Sequence, residues 1–297
     1  MTILETIRKG SEYLTARGVE SPRLQVELLL AHVLKLPRLK LYLQFDRELS
    51  PAETDVLRDL VKRRGQREPL QHLTGSVSFL GMELRVTRDV LIPRPETETL
   101  AQLARERLAS LATAAKAKGR PVKCLDFGTG SGCLILTLAG MGPDCGVEFH
   151  ALDRSAAALA VAKSNATAQT GLAPVQFHEG DGFQALPEGL CFDLVVSNPP
   201  YIPSAEVETL DPEVRDHDPR MALDGGDDGL SFYRRLAVEG IRWQPAGGWM
   251  LLELGDGQAP AVGELFASNG WLIESVEKDL SDRERVLIVR RPGTAPD

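Results

Sequence analysis

The sequence predicts an α/β fold: a doubly wound, mostly parallel sheet closed by an antiparallel edge hairpin and preceded by a small helical domain. Three observations predict it. Up to Thr74 apolar residues recur at three- and four-residue spacing, as in Ile3 and Ile7, Leu24 and Leu28, Val56 and Leu60. After Pro121 short apolar runs alternate with helical stretches. The last two runs, WLIESVE and RVLIVRR, are separated by a turn too short for a crossover helix, so they must pair antiparallel.

In chain order, Ser21-Pro22 and Ser50-Pro51 each place a cap residue before a proline at a first helical position. Between Ser76 and Ile92 the apolar period changes to two, with Leu80-Gly81-Met82 as the turn of a hairpin. The expected domains are therefore residues 1–74, helical; 75–92, a β-hairpin linker; and 93–297, the α/β part. Within the last, VKCLDF (122–127), VEFHAL (147–152), VQFHE (175–179), FDLVVSN (192–198) and WMLLEL (249–254) read as buried strands. Helices are expected over 131–139, 155–170, 230–242 and 259–268. The polar tail Pro292–Asp297 is expected to fray.

With 297 residues, 43% of them hydrophobic and 26% charged, the chain can bury a sizeable core and is neither disordered nor fibrous. A formal charge of -8 argues against gripping nucleic acid through phosphate neutralisation. The charge is uneven: 15 basic against 12 acidic residues up to Ile92, then 19 against 30. The densest basic stretch, Arg58, Lys62, Arg63, Arg64 and Arg67, reads as a solvated helix face or a contact to something anionic. Cys124, Cys133, Cys145 and Cys191 lack metal-ligand spacing and are expected to be reduced thiols within strands and helices. MTILETIRKG is no secretory signal and no run approaches a membrane span, so a cytoplasmic location, no membrane and no metal are expected.

The first strand runs into Gly128-Thr129-Gly130-Ser131-Gly132 and then a helix, a turn that lets backbone approach a ligand. A dinucleotide pattern needs glycine at 133, where Cys133 stands, so NAD is disfavoured. The next strand ends in Asp153, 21 residues beyond Gly132, where a carboxylate can accept from both hydroxyls of a ribose or cap the following helix. Gly180-Asp181-Gly182-Phe183 follows the third strand; adenine could stack there with Asp181 receiving its exocyclic amine, or the segment is a bare turn. S-adenosylmethionine fits these positions better than NAD, since nothing beyond the first turn is arranged for a pyrophosphate. Asp126 could face the cofactor's ammonium or fix the turn.

The fourth strand ends in Ser197-Asn198-Pro199-Pro200-Tyr201. Two prolines remove two backbone donors, so the carbonyls of Asn198 and Pro199 can point outward unpaired. A planar NH₂ group supplies one hydrogen to the Asn198 side-chain oxygen and one to the Pro199 carbonyl, while Tyr201 packs on the flat face of the substrate. Asn198, Pro199 and Tyr201 are thus the candidate catalytic residues, and Pro200 joins them in holding substrate. The plain alternative is an Asn-Pro-Pro turn with an accidental tyrosine.

DFGTGSG (126–132), Asp153, SNPPYIP (197–203), LIPRPETE (91–98) and RDHDPRMALDGGDDGLSFYRRL (215–236) together resemble the bacterial release factor glutamine methyltransferases, the PrmC/HemK family, and VELLLAHVL (26–34) and REPLQHLTG (67–75) extend the likeness to the helical start. The resemblance implies a Rossmann-like, seven-stranded S-adenosylmethionine-dependent methyltransferase with an antiparallel edge hairpin and an N-terminal domain that docks substrate. It implies methyl transfer to the side-chain nitrogen of the glutamine in the GGQ motif of class 1 peptide-chain release factors. By matching position, Gly128–Gly132 and Asp153 hold the cofactor, Asp181 and Gly182 lie at its adenine edge, and Asn198–Tyr201 hold the glutamine, with Asn198 also touching cofactor. Phe127 stands where the family commonly has leucine, and Gly182 where a bulky residue is common. LIPRPETE suits a loop over the cofactor, or a plain helix start at Pro95.

Asn-Pro-Pro-Tyr is shared with amino-methyltransferases acting on adenine or cytosine. The acidic catalytic half and the lack of a target-recognition insertion weigh against that alternative, and no stable nucleic-acid binding is expected. A binding protein on an inactive methyltransferase fold is the reading from another class; intact Asp153 and Asn198 weigh against it.

Overall fold

The computed structural model describes residues 1–116 and 119–293. The last four residues of the expected frayed tail lie outside the described residues. The chain divides into two compact units, one of Met1–Ser76 with Leu210–His217, the other of Val77–Thr209 with Asp218–Asp297.

The first unit is helical: α1 (Ile3–Thr15), α2 (Pro22–Leu34), α3 (Arg38–Leu41), α4 (Pro51–Gly65) and α5 (Leu70–Thr74). Reciprocal caps start α1 and α4, the Thr2 and Ser50 hydroxyls accepting from the amides of Glu5 and Glu53, whose carboxylates accept from the cap amides in return. Ser21 makes no such bond and is left-handed at φ 47°, so the cap expected there is absent. The core is Ile3, Ile7, Leu14, Val26, Leu29, Leu30, Leu57 and Leu60. Leu24 and Val56, expected on the apolar face, are exposed.

The basic stretch is largely internal to this unit. Arg64 is 5% exposed and bonds Gln25 and Glu213, Arg67 pairs with Glu213, and Arg63 forks onto Glu68. Glu213 stands on α10, Pro212–Arg215, the short helix that the return segment contributes. The boundary therefore differs from the expected one: Leu210–His217 belongs with the helices, because two arginines bring their counter-ion from there.

The second unit opens with a hairpin, β1 (Ser76–Phe79) and β2 (Met82–Arg85), turning at Leu80 and Gly81, both at positive φ. Phe79 and Leu84 are buried in the main core of this unit, so the hairpin is part of the α/β unit rather than a free linker. There follow α6 (Thr97–Lys116), β3 (Val122–Phe127), α7 (Cys133–Ala139), β4 (Val147–Asp153), α8 (Ala156–Ala168), β5 (Val175–Glu179), β6 (Leu194–Ser197), α9 (Ser204–Val207), α11 (Ser231–Trp243), β7 (Trp249–Glu253), α12 (Ala259–Ser268), β8 (Leu272–Lys278) and β9 (Glu284–Arg290). The sheet order is β5-β4-β3-β6-β7-β9-β8. β3 to β7 are parallel, and β9 runs antiparallel between β7 and β8, the edge hairpin that the short final turn required. One core, with Cys124, Phe149 and Leu251, and another, with Phe183, Tyr233 and Phe266, cover the sheet.

All four cysteines are free. Cys124 is buried in β3, whereas Cys145 lies in a bend and Cys191 is exposed outside any strand or helix, against the expectation that all four sit within such elements. Among the described residues no helix is long and apolar enough to cross a membrane, and no group of His, Cys, Asp and Glu could hold a metal ion.

Candidate active site

Strand order reverses between β3 and β6, so the segments leaving their carboxyl ends diverge and open a crevice. The glycine turn leaves β3 and the Asn-Pro-Pro segment leaves β6, and the Ser197 hydroxyl donates to the Phe127 carbonyl at 2.7 Å, tying the two strand ends together. A pocket lies there, lined by the turn residues Gly128–Ser131, by Asp153, by Gly180–Gly182 and by Ser197–Pro200. LIPRPETE contributes Leu91, Pro93, Arg94 and Thr97 to its wall, and the DHDPRMA segment contributes Pro219, Met221 and Ala222.

Gly128 and Gly130 sit at φ 77° and 55°, and a Cβ on either would meet no atom within 4 Å. The turn is thus a left-handed backbone with open space where side chains would stand, which suits close approach of a ligand. Four of its five amides are engaged elsewhere: Gly128 and Thr129 donate to the Leu152 carbonyl, Gly130 to Asp153 Oδ2 at 2.9 Å and Gly132 to the Thr129 carbonyl. A pyrophosphate needs those donors free. The turn therefore suits a pyrophosphate poorly, but it leaves room beside the Asp153 carboxylate for a ligand such as S-adenosylmethionine.

Asp153 also accepts from the Ser155 amide, and Ser155 itself caps α8 by accepting from Ala158. Asp153 is therefore not the side chain that caps α8, and it faces the pocket. Asp126 fixes the turn: one oxygen accepts from the Thr129 hydroxyl and the Ile135 amide, the other is buried without a partner, and burial lifts the carboxyl to about 7. It does not line the pocket. Gly132 does not either; a Cβ there would meet Leu136 and Ala162, so its role is close helix packing.

Gly182 has a visible reason to lack a side chain. A Cβ would fall 2.0 Å from Arg235 Nη2, so the guanidinium occupies the space of a side chain. Arg235 also donates to Asp181, at 2.7 Å to Oδ1 and 2.6 Å to the carbonyl. The carboxylate expected to receive an exocyclic amine therefore already carries a guanidinium.

The Asn198 and Pro199 carbonyls accept no hydrogen bond from the described residues. Asn198 Nδ2 donates to Thr97 Oγ1 at 3.1 Å, which turns the amide nitrogen away from any substrate NH₂. Tyr201 is placed differently from expectation. It is absent from the pocket wall, its ring lies against Gly255, its carbonyl accepts from Gln258, and burial pushes its phenol up to about 12. Composition and spacing gave no sign of Thr97, Arg235 or Glu253, because each acts through a partner far away in sequence.

The PrmC N-terminal domain model matches residues 5–75, and the methyltransferase small domain model matches residues 108–211. The release factor glutamine methyltransferase of Geobacter sulfurreducens is 41% identical over 286 residues, covering 95% of each chain. That of Deinococcus radiodurans is 41% identical over 295 residues, covering 99% of this chain and 100% of its own. Among solved structures, a methyltransferase from Pyrococcus furiosus has a TM-score of 0.50 at 17% identity, covering 72% of this chain and 91% of its own. The hMettl16 catalytic domain in complex with the MAT2A 3′UTR hairpin 6 also has 0.50, at 15% identity, with 80% and 84% covered, and both likenesses bear on the fold alone. On the strength of its near-full-length relatives, the chain belongs to the release factor glutamine methyltransferase family.

Proposed function

We propose that this protein transfers a methyl group from S-adenosylmethionine to the side-chain amide nitrogen of the glutamine in the GGQ motif of class 1 release factors. The observation that carries the reading is the meeting, in one pocket at the switch point, of a glycine turn whose glycine amides are already engaged and an Asn-Pro-Pro segment with unpaired carbonyls. When bound, the cofactor supplies an electrophilic methyl on a sulfonium sulfur. Gly128 and Gly130 give it room, and Asp153 takes the ribose hydroxyls.

An amide nitrogen is a weak nucleophile because its lone pair is delocalised. Asn198 Oδ1 and the Pro199 carbonyl each accept one hydrogen of the glutamine NH₂, which fixes the nitrogen for attack. As the new C–N bond forms and the methyl–sulfur bond breaks, the electron pair of that bond returns to sulfur, S-adenosylhomocysteine leaves and the nitrogen takes up the positive charge, which the two aimed oxygens stabilise where it develops. The methylated nitrogen is then strongly acidic and releases its proton without a dedicated base. Pro199 and Pro200 keep the segment stiff, and Tyr201 supports it from behind rather than from the substrate side.

The helical unit is assigned to docking the release factor. Methyl-labelled cofactor incubated with intact release factor or with DNA tests the whole reading. Label on the GGQ glutamine, located by mass spectrometry, is expected; label on DNA alone would favour the nucleic-acid amino-methyltransferase reading.

A further inference from the structure

We propose that Thr97 and Glu253 are positioning residues that decide which end of the Asn198 side-chain amide faces the pocket. The inference rests on the reading above, in which Asn198 Oδ1 accepts from the substrate NH₂. The three residues come from separate elements: Thr97 begins α6, Glu253 ends β7, and Asn198 follows β6. β6 and β7 are parallel neighbours with Ser197 opposite Leu252, which brings the next residue of each strand together.

Asn198 Nδ2 donates to Thr97 Oγ1 at 3.1 Å, and both side chains stand near enough to the Glu253 carboxyl to favour its ionised form. Thr97 is 2% exposed and Glu253 1%, and the other carboxyl oxygen of Glu253, Oε2, is buried without a partner. An ionised carboxylate only accepts. A Thr97 hydroxyl turned to that carboxylate donates its hydrogen to it, which leaves the threonine oxygen as the acceptor that selects the NH₂ end of Asn198. The opposite end, Oδ1, is left for the pocket. The two ends of an asparagine amide are nearly equal in size, so without this relay a flipped side chain would set NH₂ against the substrate's NH₂.

The relay needs Glu253 ionised. Burial pushes it up to about 7, and Arg285 on β9 pulls the other way. The other groups whose charge bears on it are Glu96 ahead of α6, Tyr201 after β6, Tyr233 on α11 and Cys133 on α7; burial holds the tyrosines and the cysteine above neutrality.

Steady-state kinetics of the full chain on an intact release factor, above and below neutral pH, test the inference together with calorimetry of the cofactor. Thr97→Val and Glu253→Leu are expected to lose about 10- to 100-fold in kcat, with KM for release factor and cofactor affinity little changed. Thr97→Ser keeps the hydroxyl and should stay within about threefold of wild type. The loss of kcat below about pH 7 should be present in the wild type and absent from Glu253→Leu. A folded Thr97→Val with wild-type kcat, a Thr97→Ser as slow as Thr97→Val, or an acid limb that survives in Glu253→Leu would each overturn the proposal. If Glu253→Leu does not fold, the two Thr97 variants decide. Asn198→Ala separates the two layers: full activity there would remove the reading and the inference with it, whereas an inactive Asn198→Ala beside an unaffected Thr97→Val would overturn the inference alone.

Discussion

Asp218, whose side chain is fully buried, pairs with Arg94 at 2.5 Å across 124 residues of sequence. The pair joins two of the segments that carry the family resemblance, LIPRPETE and DHDPRMALDGG, and Arg94 stands in the wall of the pocket. Burial raises the Asp218 carboxyl, and the Arg94 charge with the Ile92 amide opposes that rise. Arg94→Leu removes the opposing charge and leaves a buried carboxylate, which should destabilise the second unit by about 2 kcal/mol near neutral pH, below the range for fully buried pairs because Arg94 is partly exposed. Arg94→Leu combined with Asp218→Leu should be less destabilised than Arg94→Leu alone. Urea unfolding of the four proteins in the cycle checks it, and additive losses would mean that the pair carries no coupling.

Asp126 gives a pH dependence of stability with a definite sign. Its carboxyl is lifted to about 7 in the fold against an ordinary 3.8, so the native state keeps a proton that the unfolded chain releases. Stability from this group is complete below the unfolded value, declines as pH rises towards about 7 and is flat beyond it. Asp126→Asn can keep the bonds to Thr129 and Ile135 and cannot titrate. From acid to neutral pH the variant should lose less stability than the wild type, or gain more, by at most about 4 kcal/mol. Glu253, also pushed up to about 7, leaves a similar term in place. Denaturant midpoints of both proteins at a series of pH values decide; parallel profiles would mean that Asp126 is ionised in the fold.

At Gly182 a side chain meets two obstacles. The backbone is at φ 85°, which disfavours any L residue, and Arg235 already fills the space. Gly182→Ala should lower stability by about 1–2 kcal/mol and break the contact between Arg235 and Asp181. Adding Arg235→Ala should recover only the steric part. Thermal unfolding of the single and double variants separates the two; a Gly182→Ala protein as stable as wild type would show that Arg235 moves freely aside.

How much was legible in the sequence follows from how local each signal is. The parallel strands are apolar on both faces, so VKCLDF and WMLLEL stand out as runs, and the closing hairpin follows from a missing helix. The glycine turn and Asn198-Pro199-Pro200 announce themselves because each requirement is met by adjacent residues. α2 is different: Leu24, Val26, Leu28, Leu29 and Leu30 are apolar nearly all round, so periodicity could not tell that Leu24 faces solvent. The return of Leu210–His217 to the helical unit rests on Glu213 meeting Arg64, 149 residues away, and the filled space at Gly182 on an arginine 53 positions later. No window of sequence holds both partners. Tyr201 was misplaced for a related reason: its neighbours Gly255 and Gln258 belong to the segment after β7.

The docking role proposed for the helical unit predicts a difference between large and small substrates. Leu39 and Leu43 are 73% and 83% exposed, large apolar side chains left uncovered on that unit. Leu39→Asp with Leu43→Asp should raise KM for intact release factor by about tenfold and leave the rate on a short GGQ peptide unchanged. Equal effects on both substrates would assign these leucines to stability.

Substrate choice is the sharpest consequence of the two aimed oxygens. If Asn198 Oδ1 and the Pro199 carbonyl each take one hydrogen of the same NH₂, a release factor with Glu in place of the GGQ glutamine offers no such pair of donors. Its carboxylate would also meet both oxygens with repulsion, so it should not be methylated. Asn keeps the NH₂ but is one methylene shorter, and a displacement of about 1 Å from attack geometry slows a reaction on the order of 100-fold, so methylation should be slow rather than absent. The glycines of the motif matter separately, because they let the loop extend its glutamine into the pocket without side chains that would clash. Initial rates with Gln, Asn and Glu variants of one release factor should fall in that order. An Asn variant as fast as Gln would mean that the pocket does not fix the nitrogen, and the unpaired carbonyls of Asn198 and Pro199 would then need another explanation.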